Sequence, residues 1–149
     1  MTNVDLATGL YTKQDFLRLL AGEVADAVHN DRPYAVLAVV PQHFPDEDMT
    51  DVVRVASACV RDLVREDDLA GHVDGEIVAI GLHNGERTSA AILAQRLQGD
   101  LRLRSLHLRS ILWEIGTAFL PQDGSSAQEL LDAAINAAKM RRRRLAAKV

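Results

Sequence analysis

Apolar residues recur every three or four positions in four stretches of this chain, and between those stretches they run together or alternate. The first periodic stretch follows Thr12 and extends to about His29. Phe16, Leu20, Val24, Ala27 and Val28 fall on one face, Thr12 is placed to cap it, and Asp15 sits in the first turn, where a carboxylate complements the helix dipole. Asn30-Asp31-Arg32-Pro33 breaks that pattern, and Tyr34 to Val40 is apolar throughout, which predicts a central strand covered on both faces. Pro41 and Pro45 are expected to bracket a turn, followed by a second helix over roughly 50–65, capped by Asp48 or Thr50. Its buried stripe is Val52, Val55, Ala56, Cys59, Val60 and Leu63.

The stretch Gly71 to Leu82 reads as a β-hairpin with Asp74-Gly75 at its tip, because a tight primed turn needs positive φ at its central residues. Asn84-Gly85 ends the second hairpin strand, and a third helix is predicted over about 87–100 with Ala90, Leu93, Ala94 and Leu97 inward. Leu101, Leu103, Leu106 and Leu108 alternate with polar residues, a pattern that fits either a helix tail or a short edge strand. Ile111 to Leu120 is a strand ended by Pro121 to Gly124. Ser126-Ala127-Gln128-Glu129 is a capping box opening a last helix with Leu130, Leu131, Ala134, Ile135 and Ala138 inside. The order α-β-α-β-β-α-β-α with one hairpin defines an α+β class with a partly antiparallel sheet. Helices between strands can cover one face, as in a ferredoxin-like layer.

At 149 residues the chain is expected to form a single domain over 1–149. The net charge of −4 gives no global electrostatic case for nucleic acid, and no apolar run approaches the roughly 18 residues that span a bilayer. The one cysteine, Cys59, excludes an internal disulfide and fits a reducing compartment, and the N-terminus has no signal-peptide pattern, so the expected location is cytoplasmic. His29, His43, His72, His83 and His107 lack metal-ligand spacing, and Cys59 and Trp113 fall where core packing is the better reading.

Four blocks in order resemble the GGDEF (diguanylate cyclase) domain family. Asp5-Leu6-Ala7-Thr8-Gly9-Leu10-Tyr11-Thr12-Lys13-Gln14-Asp15-Phe16 is similar to its opening signature, and Val73-Asp74-Gly75-Glu76-Ile77 takes the place of the motif that names it. Ile115-Gly116-Thr117-Ala118 with Pro121 to Gly124 is similar to its late strand and turn, and Leu131 to Lys139 to its final helix. The resemblance implies a cyclase-palm mixed sheet with the hairpin carrying the motif and helices packed around it.

The family joins two GTP molecules into cyclic di-GMP across a dimer. Acidic residues hold Mg²⁺ against the phosphates, since a hard cation takes oxygen ligands and offsets charge as the 3′-oxygen attacks. The resemblance places one metal carboxylate on Val40 and the other on Gly75, so only Glu76 matches the motif by type. A shift of one residue to Asp74 would aim the side chain to the other face of a regular strand. Gln42 stands where the family often has another acid, and the path from Phe44 to Val55 is shorter than the family's and lacks its ribose- and guanine-binding pattern.

The resemblance therefore implies a degenerate, catalytically inactive domain with no catalytic residues, no metal and no cofactor, acting in bacterial cyclic di-GMP signalling through a protein partner or as a homodimer. Two alternatives accompany it. Arg65-Glu66-Asp67-Asp68 has the Arg-x-x-Asp form of the family's product-inhibition site, making Arg65 and Asp68 candidates for cyclic di-GMP. A rearranged cyclase would instead use Asp74 and Glu76 with Mg²⁺ and GTP. Lys139 and Arg143 match basic positions that contact GTP phosphates, although cations at a helix C-terminus also complement its dipole. The run Arg141 to Arg144, without interleaved aromatics, predicts no specific nucleic acid.

Overall fold

The computed structural model describes residues 4–6, 8–42, 48–108 and 111–147, with side chains as far as Arg141. The elements are β1 (Tyr11–Thr12), α1 (Lys13–His29), β2 (Ala35–Gln42), α2 (Met49–Leu63), β3 (Leu69–Asp74), β4 (Ile77–Leu82), α3 (Arg87–Arg104), β5 (Leu112–Phe119) and α4 (Ala127–Ala147). They form an α+β domain around one five-stranded sheet of order β1-β3-β4-β2-β5. β1 runs parallel to β3 and every other pair is antiparallel. β1 is too short to have left a periodic signal.

The predicted two-sided burial is realised at β2, the third of the inner strands. Leu37 and Val39 join a core with Val52, Ala56 and Val60 of α2 and Leu93 and Leu97 of α3. Val36, Ala38 and Val40 join a second core with Phe16, Leu20 and Val24 of α1 and Leu130, Leu131 and Ala134 of α4. Helices thus cover both faces of the sheet, as the uninterrupted apolar run of this strand predicts. Burying a Val or Leu side chain is worth about 1.5–3 kcal/mol, so the two-sided core dominates the stability.

Other boundaries move for identifiable reasons. Pro41 extends β2 and pairs with Trp113 of β5 instead of opening a turn, while Pro45 lies outside the described residues. Asp48, not Thr50, caps α2, accepting from the Thr50 amide at 2.8 Å. Thr12 caps α1 through the Asp15 amide, whereas Val28, assigned to the buried stripe, is 55% exposed near the end of that helix. The leucine-rich stretch after residue 100 resolves as helix through Arg104, with Leu101 buried and Leu103 and Leu106 facing outward. At α4 the Ser126 hydroxyl accepts from the Glu129 amide at 3.2 Å, and Glu129 reaches back to Ser125, one residue earlier than a standard capping box.

The hairpin closes later than its Asp-Gly pair suggests. Asp74 pairs with Ile77, leaving Gly75 and Glu76 as the turn, and Gly75 has φ +38°. A bulge between His72 and Asp74 adds Val73 to β3 as an extra residue.

Helix α4 lies directly on β5 at Gly116, where an added Cβ would overlap the Ala134 carbonyl and the Ala138 amide. Gly116→Ala should therefore push α4 off the sheet and lower stability by about 3 kcal/mol, read as a fall in the urea midpoint at unchanged slope.

Candidate functional site

The residues singled out by the motif meet at one end of the sheet, where β2 ends beside the hairpin turn. Val40 is 3% exposed in the core under α1 and α4, and it pairs with Glu114 of β5. The bulge at Val73 alters the parity of β3: Asp74 stands opposite Ile77, whose side chain belongs to that same core. Asp74 is thereby brought to the α1–α4 side, and the strict alternation expected of a regular strand does not hold there. It lines a cleft of about 330 Å³ with Lys13 at the start of α1 and Gln128, Asp132, Asn136 and Lys139 along α4. Asp132 accepts from Gln128 at 2.9 Å. The side chain of Arg143 lies outside those described.

The residues at the two implied metal positions do not suit a divalent cation. Val40 presents buried hydrocarbon and Gly75 has no side chain. The Gly75 carbonyl already faces His72 Nε2 at 2.6 Å. Asp74 brings one carboxylate near, and Lys13 and Lys139 line the same cleft. Among the described residues no group of three or more His, Cys, Asp or Glu is arranged to hold a metal ion.

A second cleft, of about 150 Å³, opens between the α2–β3 turn and α3 and is lined by Arg65, Asp68, Asn84, Ser89 and Arg96. Asp68 organises it: one carboxylate oxygen accepts from the Arg65 amide at 2.9 Å and the other from the His83 amide at 3.0 Å. Those bonds fix the turn and leave the Arg65 side chain exposed at the cleft. Arg96 joins it from across the chain, and no sequence spacing relates positions 65 and 96. Lys13, Gln128, Asp132 and Asn136 were likewise missed. The α4 members recur at helical intervals beside the buried stripe and could have been read as a polar seam.

The residues assigned to packing behave accordingly. Trp113 is buried, with its indole donating to Ser105 Oγ at 2.8 Å. Burial, with a hydrogen bond to Asp100, pushes the Cys59 thiol up to about 12, which leaves it protonated and inert at neutral pH. His43 lies outside the described residues.

No family model matches the sequence, and no curated protein matches it. Solved structures do. The GGDEF domain of TpbB (YfiN) from Pseudomonas aeruginosa has a TM-score of 0.81 at 20% identity, over 95% of this chain and 90% of that one. The GGDEF domain of DgcB from Caulobacter crescentus, in complex with c-di-GMP, has a TM-score of 0.82 at 18% identity, over 94% and 87%. The diguanylate cyclase SiaD from Pseudomonas aeruginosa, in complex with its activator SiaC, has a TM-score of 0.79 at 18% identity, and this chain spans 58% of it. The class is thus an α+β domain with helices on both faces of a mixed sheet. More particularly, the chain has the fold of a GGDEF domain. No helix among the described residues is long and apolar enough to cross a membrane.

The two ends of the Arg65–Asp68 motif should separate by stability. Asp68→Ala strands two backbone amides and should cost about 1–3 kcal/mol, whereas Arg65→Ala at an exposed position should stay within about 0.5 kcal/mol, both measured by chemical denaturation.

Proposed function

We propose that this chain is a GGDEF-family signalling domain that does not make cyclic di-GMP and acts through contacts with another protein or a second copy of itself. The observation that carries the reading is the chemistry of the two positions a catalytic metal would need. Val40 is apolar and buried between two helices, and Gly75 offers only a carbonyl that His72 engages. A magnesium ion without those carboxylates would exchange hydration for neutral or absent ligands, at a cost of several kcal/mol. Asp74 on the α1–α4 side supplies one acid, not two. SiaD, a diguanylate cyclase that contains this fold, is in complex with its activator SiaC, which supports a protein-contact role.

A second reading rests on the cleft beside α3. Arg65 and Arg96 present two guanidinium groups beside the Asp68 turn, a chemistry that suits phosphate and guanine edges. The same fold in DgcB holds c-di-GMP. On this reading the domain is a cyclic di-GMP receptor, and protein contacts transmit the bound state.

Purified protein incubated with GTP and Mg²⁺ should yield no cyclic di-GMP by chromatography. Sustained turnover that Asp74→Asn removes would overturn the first reading in favour of a rearranged cyclase. Calorimetric titration with cyclic di-GMP tests the second reading. It predicts binding that weakens at least tenfold in Arg65→Ala, a loss of about 1.4 kcal/mol, and absence of heat with the unmodified chain eliminates it.

A further inference from the structure

His72 stands at the junction of the lead-in segment and the hairpin, and its two ring nitrogens face two acceptors. Nδ1 lies 2.9 Å from Asp5 Oδ2, and Nε2 lies 2.6 Å from the Gly75 carbonyl. A neutral imidazole carries one N–H and one lone pair, so it can satisfy only one of these contacts and must set a lone pair against the other. Only the imidazolium donates to both. Asp5 is itself the organising residue of the lead-in: its carbonyl accepts from the Thr8 and Gly9 amides, and its amide donates to the Leu10 carbonyl at 2.6 Å. Gly75 is the turn residue at positive φ. One side chain therefore joins the start of the fold to the hairpin tip.

We propose that His72 is a proton-operated latch between the lead-in segment and the hairpin tip. With the imidazolium in place, Asp5 and Gly75 are both held. When the proton leaves to solvent, one of the two bonds is given up and the segments uncouple. The proposal does not depend on the proposed function, since it concerns how two backbone segments are tied together.

The surroundings favour the closed state. Partial burial alone would lower the pKa of His72. Hydrogen bonds to the Gly75 carbonyl and Asp5, with the charges of Asp5 and Asp74, outweigh it, and the group lies above the ordinary histidine value of 6.5. β1 and β4, which flank it, bring the uncharged Thr12 and Val78. α2 brings Arg54 across a shared cleft, itself 3.8 Å from Asp51. Glu76 completes the turn. Because the folded-state pKa is raised, the stabilising contribution is fully present below the unfolded value near 6.5 and is lost as pH rises through the folded value.

The test is a titration of the ¹⁵N-labelled full chain by NMR from pH 5 to 9. His72 should keep its proton above the ordinary histidine value of about 6.5. The amides of Asp5, Thr8, Gly9, Gly75 and Glu76 should move with the His72 midpoint. Asp5→Asn should lower that midpoint by about one pH unit and remove the lead-in amides from the transition. A His72 midpoint at or below the ordinary value of about 6.5 would overturn the latch. So would a high midpoint through which the lead-in amides stay still, a result obtainable without any variant.

Discussion

The constraint on which the molecule depends is the burial of β2 on both faces. α2 and α3 close one side and α1 and α4 the other, and no side chain from Ala35 to Val40 exceeds 3% exposure. A strand so enclosed tolerates charge only where a partner or an ion compensates it, because an isolated buried carboxylate shifts its pKa or destabilises the fold. Val40 obeys that rule as an ordinary core residue. The end of the strand, where the resemblance would seat a metal ligand, has been absorbed into the hydrophobic interior.

The hairpin stands next to this strand and is shaped by two local devices. Gly75 supplies the positive φ of a two-residue turn, and the bulge at Val73 adds one residue to β3. The bulge turns Asp74 toward the α1–α4 cleft, and His72 ties the turn to the lead-in. The tip is therefore held by backbone pairing, a glycine and an imidazole, without charge from the adjoining core strand. On the opposite side of the sheet, Asp68 fixes the turn before β3 and sets Arg65 at a cleft shared with α3.

Much of the fold was legible because periodicity is a local property. The stripes of α1, α2 and α4, the apolar run of β2 and the Asp-Gly signal of the hairpin each follow from residues close in sequence. The departures arose at the ends of elements, where the periodic pattern stops and a neighbour decides the outcome. Pro41 continues β2 because Trp113 lies across from it, and Val28 emerges from its stripe at a helix end. Of the two caps the sequence allows for α2, the Thr50 amide selects Asp48.

By itself the sequence determined the class of fold, the order of elements and the apolar identity of Val40, since these depend on side-chain type and spacing along one chain. Only the tertiary structure decided which helix pair covers each face of the sheet and that a bulge redirects Asp74. It alone joined Arg96 to Arg65 and set His72 between Asp5 and Gly75. Those facts rest on register and on contacts between segments far apart in the chain, where a one-residue shift reverses the face a side chain occupies.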